Sequence, residues 1–158
     1  MNREIKIMNA LEAVVRTQFN DRLAKYNSDG IAATIPDRAI KIFDYGEALK
    51  SNSAFILLNS YTEPSDLQQN ARELFVNLIL AVAVFWVDTR VGNGAGYRRG
   101  AIYKSTLADL LSDNYNRITG SKKYSWRTIE MTEIEGGPSE YLMVKGEIEA
   151  IIDIRRVL

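Results

Sequence analysis

An α+β fold, a mainly antiparallel sheet with two helices packed on one face, is what this 158-residue chain predicts. Two stretches, residues 4–26 and 97–114, repeat apolar residues at helical spacing. Four others read as strands, and they come as two pairs with turn-rich connections between them. The expected order is helix, strand, strand, helix, strand, strand. Without repeats, low-complexity tracts or an interdomain linker, residues 1–158 form a single domain, long enough to hold a proper core.

In residues 4–26, Ile7, Leu11, Val14, Val15, Leu23 and Tyr26 recur near the 3.6 period, with Glu12, Arg16 and Asp21 on the other side. Asn27-Ser-Asp-Gly30 ends that helix with turn chemistry. Residues 31–44, which include Pro36, read as irregular chain with a short strand around 39–43. A buried strand is expected at 54–59 and a polar loop at 60–70.

Residues 74–87 (LFVNLILAVAVFWV) are apolar except for Asn77. Four valines, an isoleucine and three aromatics favour a strand over a helix here. At ~3.3 Å per residue it spans roughly 46 Å, over twice the usual strand length. A domain of this size does not easily cover such a strand on both faces. It is therefore expected to project as an arm or to be buried by neighbouring copies.

After the glycine loop V-G-N-G-A-G-Y at 91–97, the second helix carries Ala101, Ile102, Leu107, Ala108, Leu110 and Leu111 on a wide apolar face. Residues 122–135 alternate as a strand, with Trp126, Thr128, Glu130 and Thr132 on one side. Gly136-Gly-Pro-Ser139 reverses the chain, and 141–158 returns as a long final strand. In that strand Ile148, Ala150, Ile152 and Ile154 face one way, and Glu147, Glu149, Asp153 and Arg155 the other.

Composition narrows the chemistry. Lys+Arg and Asp+Glu are both 20, so no net field draws the protein to nucleic acid or an anionic membrane. Cysteine and histidine are both absent, which removes disulfides, thiolate chemistry, the commonest general base and the commonest metal ligand. The first residues hold no apolar signal core, and the 74–87 run falls short of the ~20 residues of a membrane helix. A soluble cytoplasmic protein with no membrane role is expected. Charge is nonetheless separated along the chain. Residues 88–127 hold eight basic and three acidic residues, whereas 128–158 hold three basic and seven acidic. Such separation suits head-to-tail contact between identical copies, or pairing inside one subunit.

The glycines at 92, 94 and 96 fit neither a dinucleotide fingerprint nor a P-loop, and read as a flexible turn. A small nucleotide-binding enzyme using Gly92–Gly100, with Arg98 and Arg99 on the anion, remains an alternative. The acidic residues Glu133, Glu135, Glu147 and Glu149 have the spacing of a solvated sheet face rather than of paired catalytic carboxylates. Tyr97-Arg-Arg and Lys122-Lys-Tyr-Ser-Trp-Arg127 interleave cations with aromatics, yet show no known nucleic-acid motif.

With these residues in place the layout resembles that of bacteriophage tail terminators. An N-terminal helix (5–26) precedes a short strand, a polar loop and a long apolar strand. A glycine connection, a helix carrying Leu107-Ala-Asp-Leu-Leu111-Ser-Asp-Asn114 and two long strands follow. Residues 31–52 fall outside the resemblance. It implies a non-enzymatic virion protein without cofactors, assembled in the host cytoplasm and placed at the tail–neck junction. Such a protein forms a hexameric ring that caps the head-proximal end of the tail tube and stops its polymerisation. Its partners are itself, the tail tube protein, the sheath where a tail has one, and neck or connector proteins. Genomic DNA in the lumen is met transiently, through phosphates rather than bases. A neck adaptor or stopper on the portal side is the alternative of the same kind. The expected contact loop to tube, sheath or neck is 61–70, with Tyr61, Glu63 and Asp66. Arg98, Arg99, Lys122, Lys123, Glu147 and Glu149 are the candidates for contacts between subunits or with DNA phosphate.

Overall fold

The computed structural model describes residues 2–42, 54–65, 74–87, 95–121, 125–134 and 141–155. Helix α1 (Arg3–Tyr26) opens at Asn2, whose side chain accepts from the N–H groups of Glu4 at 2.8 Å and Ile5 at 3.4 Å. Two donors that the helix leaves without partners are thereby satisfied. Its buried stripe contains the expected Ile7, Leu11, Val14, Val15 and Leu23, joined by Met8 and Phe19. Tyr26, by contrast, is exposed. Gly30, at φ 68°, makes a left-handed turn that a side chain would strain.

The following segment is tied back to α1 by two asparagines. Asn20 donates to the carbonyl of Ile35 and accepts from its N–H, both at 2.8 Å. Asn27 does the same for Ala32, at 2.7 and 3.0 Å. Each side-chain amide stands in for a neighbouring backbone, so an extended chain without a ladder still has its polar groups paired. A 3-10 turn (Asp37–Ala39) then leads into β1 (Ile40–Ile42).

The remaining elements are β2 (Phe55–Pro64), β3 (Phe75–Val87), α2 (Ala95–Thr119), β4 (Trp126–Ile134) and β5 (Tyr141–Asp153). The strands form one sheet in the order β1-β2-β3-β5-β4. The α+β class stands, but two finer expectations change. The short strand expected around 39–43 is present as Ile40–Ile42, a fifth strand that the predicted order left out, and it runs parallel to β2, so the sheet is mixed. The other three pairings are antiparallel. Several boundaries move as well. Residues 60–64, expected in a loop, extend β2, because Val76–Leu80 of β3 supply ladder partners for them. Helix α2 starts within the expected glycine loop and runs past residue 114 to Thr119. The reversal at 136–139 and Gly92 and Gly94 lie outside the described residues.

Even-numbered residues of β2, β3 and β5 share one core with both helices, including Ile56, Leu58, Leu80, Val82, Val84, Val144 and Ile148. Helix α2 packs tightly over Gly146 of β5, where an added Cβ would lie 3.3 Å from Leu111 Cδ1 and 3.3 Å from the Trp126 ring of β4. The helices are clamped to each other by Arg22, which reaches Asp113 at 2.6 Å and Asp109 at 3.4 Å. Gln18 and Asn114 add a reciprocal amide pair at 3.2 and 2.9 Å. In the centre, Tyr103 packs between Phe19 and Trp86 and donates to the Ala33 carbonyl at 2.8 Å. Burial pushes its phenol up to about 12.

The overlong strand is the main correction. β3 is no arm: it lies in the middle of the sheet, flanked by β2 and β5 along its length. Residues 78–86 are all buried within one chain. Phe75–Asn77 at its start and Val87 at its end are half-buried. On the side away from the shared core, Phe55, Leu57, Ala83 and Phe85 form a second buried cluster, with the two phenylalanine rings stacked 4.6 Å apart. Burial of this strand therefore requires no sister copy.

Candidate functional site

The sheet's second face, opposite the shared core, gathers the most densely connected polar residues. Register alone brings odd-numbered residues of three strands together: Tyr61 opposes Ile79, which opposes Glu149, and Asn59 opposes Ala81, which opposes Glu147. Beside them, β4 departs from regular alternation. Trp126 pairs with Ile148 but Thr128 with Glu147, so Arg127 is the extra residue of a bulge. A bulge re-aims a side chain. Here Trp126 packs on the core while Arg127 turns onto the second face, so the expected placing of Trp126 and Thr128 on one side is broken.

Arg127 organises the face. Its guanidinium donates to both Glu63 carboxylate oxygens, at 2.9 and 3.0 Å, a bidentate pair. It also reaches Glu149 at 3.4 Å and Glu147 at 3.6 Å. Glu147 further accepts from Lys145 at 2.9 Å and from the Tyr61 hydroxyl at 2.9 Å. Ser125 donates to Glu149 at 3.3 Å. One arginine on the edge strand β4 is thus strapped across β5 and β3 to β2. Beneath the strap, Ile79 and Ala81 are 0% and 7% exposed although they lie opposite the helix-lined core.

The electrostatics follow from these contacts. Burial alone would raise the Glu147 carboxyl, but hydrogen bonds from Lys145 and Tyr61, with the charges of Lys145 and Arg127, outweigh it and hold the group low. The Tyr61 phenol is raised, by burial first and then by its bond to Glu147. Arg127 is raised chiefly by its hydrogen bond to Glu63. The cluster is a set of mutually satisfied ion pairs, with the guanidinium occupying the space between three carboxylates.

Four of the nine residues singled out from sequence meet here: Tyr61, Glu63, Glu147 and Glu149. Tyr61 and Glu63 do so from a strand and not from a loop, and Asp66, Lys122 and Lys123 lie outside the described residues. Glu147, expected on a solvated face, is only 5% exposed. Arg98 and Arg99 stand elsewhere, at the start of α2. Arg98 pairs with Asp29, and Arg99 donates to the Ile31 carbonyl at 2.9 Å, so both guanidiniums engage the turn after α1. In the sequence Arg127 figures in the charge balance and in the cation–aromatic run at 122–127, and Lys145 only in the charge balance. Lys145 carries one signal, its alternation with Glu147 and Glu149; Arg127 carries none, because a bulge leaves no local mark. Part of the charge separation along the chain is also answered internally, since Arg127 from the basic stretch meets Glu147 and Glu149 from the acidic one.

Among the described residues no group of three or more acidic, histidine or cysteine side chains is arranged to hold a metal ion. Among them, too, no helix is long and apolar enough to cross a membrane. Compared with known proteins, the chain matches no family model and no curated relative.

Proposed function

We propose that this chain is a structural protein of the tail-terminator kind, which closes into a ring by continuing its sheet from copy to copy. The ring caps the head-proximal end of a phage tail tube, stops tube growth and joins the tail to the neck. The element order over most of the chain supports the resemblance, which implies six copies. Arrangement of the sheet edges is the observation that carries the reading.

Among the described residues, β4 has a partner on one side only. On the other side of the sheet, β1 covers β2 at Ile56–Leu58 and, among those same residues, leaves 59–64 bare. Edges left open over this length among the described residues invite strand addition, which folded proteins usually blunt. The two edges are also matched in direction. Three antiparallel pairings separate β2 from β4, so these strands run opposite ways. Rotating one copy about an axis along the strands then sets β4 of one beside β2 of the next as an antiparallel pair. The contact is heterologous, and it closes when the rotation per copy divides the circle.

Cross-linking tests this directly, because the chain has no cysteine of its own. Within one copy β2 and β4 are three strand spacings apart, roughly 14 Å, beyond the ~7 Å Cα limit of a disulfide. The variant Asn59→Cys with Thr128→Cys, which share one row of the sheet through Ala81 and Glu147, should therefore oxidise only between copies, giving a ladder that ends at a closed ring. Tail tubes should carry that ring at one end. Persistence of the single chain at high concentration and in the presence of tubes counts against the reading.

A further inference from the structure

We infer that α1 and the first half of α2 form a site for an extended peptide, filled in the free chain by the chain's own residues 31–40. Among the described residues, the backbone of 31–38 bonds to no backbone group of α1, α2 or β2. Side chains read it instead. Asn20 and Asn27 each pair with both backbone groups of one residue, Ile35 and Ala32. Three more side chains donate to carbonyls: Arg99 to Ile31 at 2.9 Å, Tyr103 to Ala33 at 2.8 Å and Arg16 to Asp37 at 2.7 Å. Arg16 also reaches the Ile40 carbonyl at 3.2 Å. Bonds to the main chain hold any extended peptide, and pockets for a few side chains set which one. Here Ala32, Ile35 and Ile40 fill the pockets, at 3%, 1% and 4% exposure, while Ala33, Thr34, Asp37 and Arg38 are exposed. The ligand class is therefore an extended peptide with alanine three residues before one isoleucine and a second isoleucine five after it.

The segment is separable from what holds it. Emptying the site breaks no backbone hydrogen bond within α1 or α2, and the five side chains that grip it can turn to water. Only the short pairing of β1 with β2 follows the segment out. Two isoleucines and an alanine hold by burial what the entropy of the freed residues opposes, and segments so held open before the fold as a whole. The left-handed turn at Gly30 marks where the segment leaves α1. Tethered there, it acts at an effective concentration on the order of millimolar, which excludes a free peptide at micromolar level. The site is thus closed by its own segment until that segment is weakened or displaced. The ring proposed above neither requires nor excludes it.

Peptide binding to a vacated site tests this. Ile35→Asp removes the deepest anchor of the segment and none of the groups that hold it. A fluorescein-labelled peptide of residues 31–42 (IAATIPDRAIKI) should bind this variant at least about tenfold more tightly than the wild-type chain, read by anisotropy. The same peptide carrying Ile35→Asp should not bind. Asn20→Ala added to the variant should weaken binding by about tenfold or more, through the two bonds lost to Ile35. Ile35→Ala is the milder way to vacate the site if aspartate unfolds the chain. A folded variant that binds the peptide no better than wild type overturns the site, as does binding indifferent to Asn20→Ala. Loss of the fold in both Ile35 variants, by circular dichroism, overturns it too, because the segment is then part of the fold and not a ligand in it.

Discussion

Gly146 offers the sharpest check on how the helices meet the sheet. It lies in the middle of β5 with no left-handed angle to demand glycine, so its role is spatial. An alanine Cβ there would stand 3.3 Å from Leu111 Cδ1, 3.3 Å from the Trp126 ring and 3.7 Å from Leu107 Cβ. The best carbon–carbon separation is about 3.5–4.0 Å, so Gly146→Ala asks its neighbours to move by a few tenths of an ångström. Lost unfolded-state entropy favours alanine by roughly 0.4–1 kcal/mol, and mild overpacking opposes it by about 1. The net change should lie within about 1 kcal/mol of zero. Gly146→Val adds two carbons beyond that Cβ, toward a leucine and an indole already in contact, and should cost about 2–3 kcal/mol. Leu111→Ala alone should cost about 2–5 kcal/mol as a buried cavity. Combined with Gly146→Val it should recover at least about 1 kcal/mol, a non-additivity confined to residues that touch. Urea denaturation of the four proteins measures each value. A valine tolerated at under about 0.5 kcal/mol, with strictly additive energies, would refute this packing of α2 on β5.

Other residues give independent predictions. Tyr103 has its phenol raised to about 12, whereas an unfolded tyrosine ionises near 10. Above pH 10 the unfolded chain therefore binds fewer protons, and stability should fall between pH 10 and 12 by up to about 2–3 kcal/mol. Tyr103→Phe should lower stability at neutral pH, through the lost bond to Ala33, and flatten that alkaline slope in thermal melts. Glu147 is held below its ordinary value, so its contribution is present above the unfolded carboxylate range and is lost as pH falls through the folded value. Glu147→Gln should make the acid limb of the stability curve shallower, and an unchanged limb argues against the cluster. Asn20→Ala leaves both the N–H and the carbonyl of Ile35 without their partner. It should cost about 1–3 kcal/mol by chemical denaturation, with hydrogen exchange at Ile35 accelerating first.

Elements built from local pattern are legible in the sequence. Helical spacing of Ile7, Leu11, Val14, Val15 and Leu23 marks α1, because the side that must be buried recurs at 3.6 residues whatever it packs against. The β-branched run marks β3, and alternation around Glu147 and Glu149 marks β5. The second-face cluster is half legible. Tyr61, Glu63, Glu147 and Glu149 stand out singly, but nothing local joins them. Even the extension of β2 through residues 60–64 is hidden, since polar residues become strand only when a partner supplies the ladder.

From sequence alone come the α+β class, the two helices, the existence of four of the strands and the chemistry that lacks histidine and cysteine. Which strands are neighbours and where Arg127 lands are decided by tertiary pairing. The physical reason lies in range. Apolar periodicity records what each segment must bury, and it acts over a few residues. A ladder between residues 63 and 77, or a bulge that turns residue 127 across to Glu63, depends on hydrogen bonds and charges brought together from distant parts of the chain.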